Sequence, residues 1–194
     1  VRLLEGPLAR RADAVVTVSE PIAEELRSTL RLAAKPLVVL SCPPRTDIEP
    51  APRGEGPLLA LYQGAMGPGR RLEDLVVAAR HADGVRLTAR VPGAPDLEGV
   101  ERAEPVAPDE LVEAAASYHA GLVINRPVTR NDELVLPNKL FEYLMAGLAV
   151  VVPRLPGLTP LVEGEGVGLT YEPGRPEQLG AVLTELARDD ARLA

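Results

Sequence analysis

From Leu58 onward, short apolar runs alternate with segments of helical periodicity, and that alternation leaves few folds open to the chain. Leu58-Leu59-Ala60-Leu61-Tyr62 reads as a buried strand, and residues 70–81 carry Leu72, Leu75, Val76 and Ala79 at helical spacing. Residues 85–91 alternate as a strand does, residues 100–104 form a weak strand, and residues 109–118 are helical. Then come a strand over 120–125, a helix over 137–146 and a strand over 149–152. A short helix over 158–163, a strand over 167–171 and an amphipathic helix over 176–187 complete the series. Strands separated by helices pair in parallel through right-handed crossovers. The predicted fold class is therefore α/β, a Rossmann-like parallel sheet with helices on both faces.

Ahead of this series, residues 14–18 form a β-branched run, and Ser19 caps a helix entered through Glu20-Pro21. A second strand covers residues 37–40. Residues 41–57 are rich in Pro, Arg, Gly and Glu with little to bury, and read as an interdomain linker. The net charge of -7 speaks against a nucleic-acid surface, although a few arginines in a cleft can still hold a small anion. One cysteine, Cys42, supports neither a disulfide framework nor a metal cluster, so a cytoplasmic location is expected. No run approaches the roughly 18 apolar residues of a membrane span.

Two segments carry chemistry. In Tyr62-Gln63-Gly64-Ala65-Met66-Gly67-Pro68-Gly69-Arg70-Arg71, three glycines between a strand and a helix let backbone N–H groups approach a phosphate, and Arg70 adds charge at the helix start. The spacing matches neither the dinucleotide fingerprint nor a Walker loop, and a flexible turn with solvated arginines is the alternative. The second runs from Leu136 through Pro137, Asn138, Lys139, Phe141, Glu142 and Tyr143 to Gly147. Lys139 is one of two lysines in the chain. Glu142 sits among apolar neighbours, where a carboxylate is costly unless paired, so it is either a solvent-facing helical residue or a cleft ligand. Lys139 suits a phosphate or sugar oxygen, or pairs with Glu142 or Asp132. His81 and His119 have no nucleophile or carboxylate at a telling spacing, and Asp189-Asp190 reads as solvated surface.

In order along the chain, these segments resemble the retaining GT-B glycosyltransferases of the large family 4. Residues 12–20, Ala-Asp-Ala-Val-Val-Thr-Val-Ser-Glu, are similar to the last strand–helix unit of that family's acceptor-binding domain. Residues 62–70 resemble the glycine loop that opens its donor-binding domain. Residues 118–124 resemble its A-D-x-x-x-x-P strand, with Gly121 where aspartate is common, and residues 136–147 its signature helix in the L-P-N-K-x-F-E-Y branch. The resemblance implies a division into a tail of the N-terminal acceptor domain (1–32), a linker (33–57) and a C-terminal nucleotide-sugar-binding domain (58–194).

What the resemblance implies about the site is specific. Arg70 and Lys139 would stabilise the diphosphate leaving group, and Glu142 would bind the donor ribose. Gly64, Asn138 and the backbone near Leu134 and Val135 would face the diphosphate, and Val106 would border the base. Glu133 would lie near the sugar, although the family's E-x7-E spacing puts its first glutamate at Leu134, and Ala65 stands where a second loop cation is usual. No metal or other cofactor is implied. The expected partners are a UDP or GDP sugar and an N-terminal domain outside this chain, with peripheral membrane contact open to the full enzyme. The 194 residues alone are expected to transfer nothing. A nucleotide-sugar epimerase of the same architecture and a flavodoxin-like binding module are the competing readings. An NAD-dependent dehydrogenase is disfavoured by the missing fingerprint.

Overall fold

The computed structural model describes residues 2–67 and 69–189. Val1, Pro68 of the glycine loop and residues 190–194, Asp190 among them, lie outside the described residues. The chain begins with helix α1 (Arg2–Ala9), strand β1 (Val16–Thr17), helix α2 (Glu20–Leu30) and strand β2 (Leu37–Val38). Next come β3 (Leu58–Gln63), α3 (Glu73–His81), β4 (Val85–Arg90) and β5 (Glu101–Arg102). A 3-10 turn (Pro108–Glu110) leads into α4 (Leu111–Ala115), β6 (Ala120–Leu122) and α5 (Arg130–Leu134). Helix α6 (Asn138–Met145), β7 (Ala149–Pro153), α7 (Thr159–Gly164), β8 (Gly168–Tyr171) and α8 (Pro176–Ala187) follow.

Strands β3 to β8 form one six-stranded parallel sheet in the order β5-β4-β3-β6-β7-β8. The chain moves outward from β3 to β5, returns to lay β6 against β3, and moves outward again. Adjacent crossovers therefore leave β3 and β6 toward opposite faces, which opens a crevice at their carboxyl ends. Alternation along β3 sends Leu58, Ala60 and Tyr62 into one core with Leu75 and Ala78 of α3 and Leu179 and Leu183 of α8. Leu61 enters the other, with Val112 of α4, Leu140 and Tyr143 of α6 and Val162 of α7. Helices thus cover both faces, as the apolar pattern implied.

Gly121 on β6 shows why its position tolerates no side chain. A Cβ there would lie 2.2 Å from the Tyr143 ring, so the missing side chain is what lets α6 settle onto the sheet. The Tyr143 hydroxyl then accepts the Gln63 N–H at 2.8 Å, tying α6 to the carboxyl end of β3.

Ser19 caps α2 as expected, accepting the Ile22 N–H at 3.3 Å. The hydroxyl also donates to the Leu134 carbonyl at 2.8 Å, and Arg130 lies 3.5 Å from Glu25, so α2 is held against α5. Strand β2 pairs in parallel with β1, so Leu37–Val38, assigned to the linker on sequence, is held by the N-terminal elements. Residues 41–57 carry no helix or strand. They nevertheless lie along the domain: Ile48 packs against the second core, and the Ala51 N–H donates to the Ala116 carbonyl at 2.8 Å. Two helices escaped the sequence reading. Gly6-Pro7 inside α1 reads as a break. Helix α5 has five residues, of which Leu134 is the buried one. Among the described residues no helix is long and apolar enough to cross a membrane.

Candidate active site

The crevice between β3 and β6 opens as a cleft of about 430 Å³, continuous through Arg70, Asn125 and Asp132 with a second space of about 250 Å³ beneath the glycine loop. Its floor begins where β3 ends. Gly64 has φ +152°, and a Cβ there would meet Lys139 Nζ at 2.7 Å, so the glycine keeps room for the ammonium group.

Lys139 is on the first turn of α6, 8% exposed, and its Nζ has no hydrogen-bond partner among the described residues. It stands 4.1 Å from the centroid of the Tyr62 ring. Burial, reinforced by the positive charge of Arg70 and opposed by Glu142, pushes the ammonium down to about 7. The two partners considered from sequence are both engaged elsewhere. Asp132 accepts from the Val128 and Thr129 N–H groups and the Thr129 hydroxyl, closing the capping box of α5. Glu142 accepts from Gln63 Nε2 at 2.9 Å. Helix α6 starts behind Pro137, which supplies no side-chain cap; the Leu140 N–H donates to the Pro137 carbonyl at 3.0 Å, and Asn138 and Lys139 bring the start of the helix to the cleft.

Arg70 is placed by a staple between two loops. Its Nη1 donates to the Ala65 carbonyl at 3.2 Å, and its backbone bridges to Asn125. The Arg126 N–H donates to the Gly69 carbonyl at 2.8 Å. The Arg126 guanidinium forks onto buried Asp74 at 2.9 and 2.8 Å, fixing α3 to the loop after β6. Arg71 is exposed and faces Glu73, as the solvated alternative supposed.

Of the residues singled out in the sequence, Gly64, Arg70, Val135, Asn138, Lys139 and Glu142 line this one cleft. Glu133, Leu134 and Val106 do not. The Glu133 carboxylate accepts from Arg130 Nη1 at 2.5 Å, within α5. Leu134 is buried at 3% exposure, and Val106 lies beyond the short edge strand β5. The lining residues given no role of their own on sequence are Gln63, Leu111, Asn125 and Asn131, although Gln63 and Asn131 lay within or beside the two candidate segments. Among the described residues the Asn125 Oδ1 is buried without a hydrogen-bond partner, leaving an acceptor at the wall. Thr129 and Asp132 at capping-box spacing were a readable signal for α5.

Neither histidine belongs to the site. His119 Nδ1 accepts the Leu59 N–H at 3.0 Å, and burial with the Arg53 charge lowers its pKa. His81 Nδ1 lies 2.9 Å from the Val77 carbonyl within its own helix. Among the described residues no three His, Cys, Asp or Glu side chains converge as metal ligands. The cleft thus offers two cations, a helix N-terminus and one carboxylate, a set suited to a phosphorylated, hydroxyl-bearing ligand.

Comparison with known proteins agrees on the fold. The chain superposes on sucrose-phosphate synthase from Thermosynechococcus elongatus with a TM-score of 0.71 at 18% identity, covering 98% of this chain and 53% of that one. HepE from Anabaena, in complex with UDP-glucose, gives a TM-score of 0.69 at 14% identity, covering 98% and 58%. TarM gives 0.68 at 14%, covering 100% and 40%. These neighbours are GT-B glycosyltransferases, and the chain spans about half of their length. No curated protein matches by sequence. The model of the glycosyl transferase-like family matches residues 70–194, well over half of the chain and including Arg70, Lys139 and Glu142, and the protein belongs to that family.

Proposed function

We propose that the cleft binds a nucleotide-diphosphate sugar, and that the chain is the donor-binding portion of a glycosyltransferase that retains anomeric configuration. The observation that carries this reading is the nine-tenths buried Lys139 ammonium, without a hydrogen-bond partner among the described residues, set beside Gly64 and lining the cleft shared with Arg70 and Glu142. A buried cation without a partner is costly, and an anion entering the cleft removes that cost. In this reading Arg70, Lys139 and the α6 N-terminus receive the charge that develops on the diphosphate as the sugar leaves. No metal is assigned a part in this step. Glu142 accepts hydrogen bonds from the ribose, and the acceptor is presented from outside this chain. Neighbours that hold UDP-glucose or UDP make a uridine donor the first to test.

Calorimetry tests the assignment. Arg70→Ala and Glu142→Ala should each weaken UDP or GDP binding about tenfold or more, as loss of a charge-assisted hydrogen bond does. Unchanged affinity in both variants would remove the assignment.

A further inference from the structure

Gln63 is 1% exposed, closes strand β3, and stands behind Glu142 rather than in solvent. The parallel register sets it directly opposite Arg90, the last residue of β4, which is 7% exposed. Arg90 Nη1 donates to Gln63 Oε1 at 3.0 Å, and Gln63 Nε2 donates to Glu142 Oε2 at 2.9 Å. Arg90 is anchored in turn: Nη2 donates to the Ala114 carbonyl at 3.1 Å, and the guanidinium lies 5.9 Å from the Tyr118 ring centroid. The Gln63 backbone is held as well, by the Tyr143 hydroxyl.

The direction of this chain of bonds follows from chemistry. A guanidinium can only donate and a carboxylate only accept, so the amide between them has one orientation that satisfies both. Flipping it would set its NH₂ against the guanidinium and its oxygen against the carboxylate. The consequence falls on Glu142. One carboxylate oxygen is pinned to a buried amide, and among the described residues the carboxylate accepts no other hydrogen bond. Its second oxygen is therefore available to the cleft, on a side chain whose rotamer freedom is already spent. Preorganisation of this kind raises affinity by removing the ordering cost at the moment of binding.

We infer that Gln63 and Arg90 are positioning residues that hold the Glu142 carboxylate for the vicinal hydroxyls of a ligand's ribose, and so set the preference for ribonucleotides over deoxynucleotides. The inference rests on the donor reading of the cleft and adds to it two residues that act through the Glu142 carboxylate. Gln63→Met keeps volume and removes the amide. Gln63→Glu keeps the Arg90 bond but turns a donor into a like charge facing Glu142, which pushes the two carboxylates apart.

The test is calorimetry of the whole chain with UDP, GDP and ADP and with their 2′,3′-dideoxy counterparts, each variant's folding checked by its thermal transition. Wild type should favour the ribonucleotide about tenfold or more. In both Gln63 variants that ratio should fall to within about threefold of one, with the dideoxy affinity held within about twofold of wild type. In a Glu142→Ala background, Gln63→Met should cost nothing further, because the effect passes through the carboxylate. A ribose preference that survives in folded Gln63 variants, an equal loss for both nucleotides, or additivity with Glu142→Ala would each overturn the inference and leave the donor reading standing. A wild type that binds none of the three diphosphates, or binds without ribose preference, overturns the donor reading itself and this inference with it. If Gln63→Met does not fold, Gln63→Glu alone decides through the same ratio.

Discussion

Lys139→Met should make the ligand-free protein more stable and its cleft less useful. The pKa falls from 10.5 to about 7, which corresponds to roughly 5 kcal/mol against the protonated form. A methionine fills similar volume without the charge, so the variant should gain most of that, about 3–5 kcal/mol, at pH 6. The pH dependence gives the sharper readout. Between about 7 and 10.5 the unfolded chain holds a proton that the native state has released, so native stability rises with pH in that window and the full cost is borne below it. The stability difference between variant and wild type should therefore shrink by roughly 2 kcal/mol from pH 7 to pH 9. Urea unfolding of both proteins at pH 6, 7, 8 and 9 measures it, and groups common to both cancel. A difference that stays constant across the series, or a variant that is less stable at pH 6, would refute the reasoning that burial has depressed this lysine.

Two further outcomes follow from the same geometry. At pH 8 the free lysine is mostly neutral, so binding of UDP should take up close to one proton as the diphosphate raises its pKa. Calorimetric enthalpies in buffers of different ionisation enthalpy would show this, and Lys139→Met should abolish it. Gly121→Ala would drive a methyl group into the Tyr143 ring, and should cost about 1–3 kcal/mol or more in chemical denaturation while loosening the bond from Gln63 to the Tyr143 hydroxyl.

The sheet was legible because its strands are apolar runs such as Leu58-Leu59-Ala60-Leu61-Tyr62, buried on both faces, with helices of clear period between them. Helix α5 was not, because five residues with one buried leucine carry no period and only Thr129 and Asp132 mark its start. For the site, Arg70 could be picked out as a cation closing a glycine loop, and Lys139 and Glu142 as charges on a mostly apolar helix; the structure sets all three on one cleft. Their partners could not be picked out. That Asp132 is consumed by its own cap, that Glu133 swings to Arg130, and that Gln63 reaches Arg90 across 27 residues are products of register and helix phase. The glycine at 121 was noted as a departure from aspartate, and its reason, the ring of Tyr143, is likewise visible only in three dimensions.

We propose one cleft, at the carboxyl ends of β3 and β6, as the place where a nucleoside diphosphate lies between Lys139 and Glu142. A crystal structure of the chain with UDP or GDP would decide this. The diphosphate should lie within hydrogen-bond distance of Lys139 Nζ and Arg70, with the ribose hydroxyls on the Glu142 oxygen that Gln63 leaves open. A nucleotide bound elsewhere, or one whose phosphates avoid Lys139, would contradict the account.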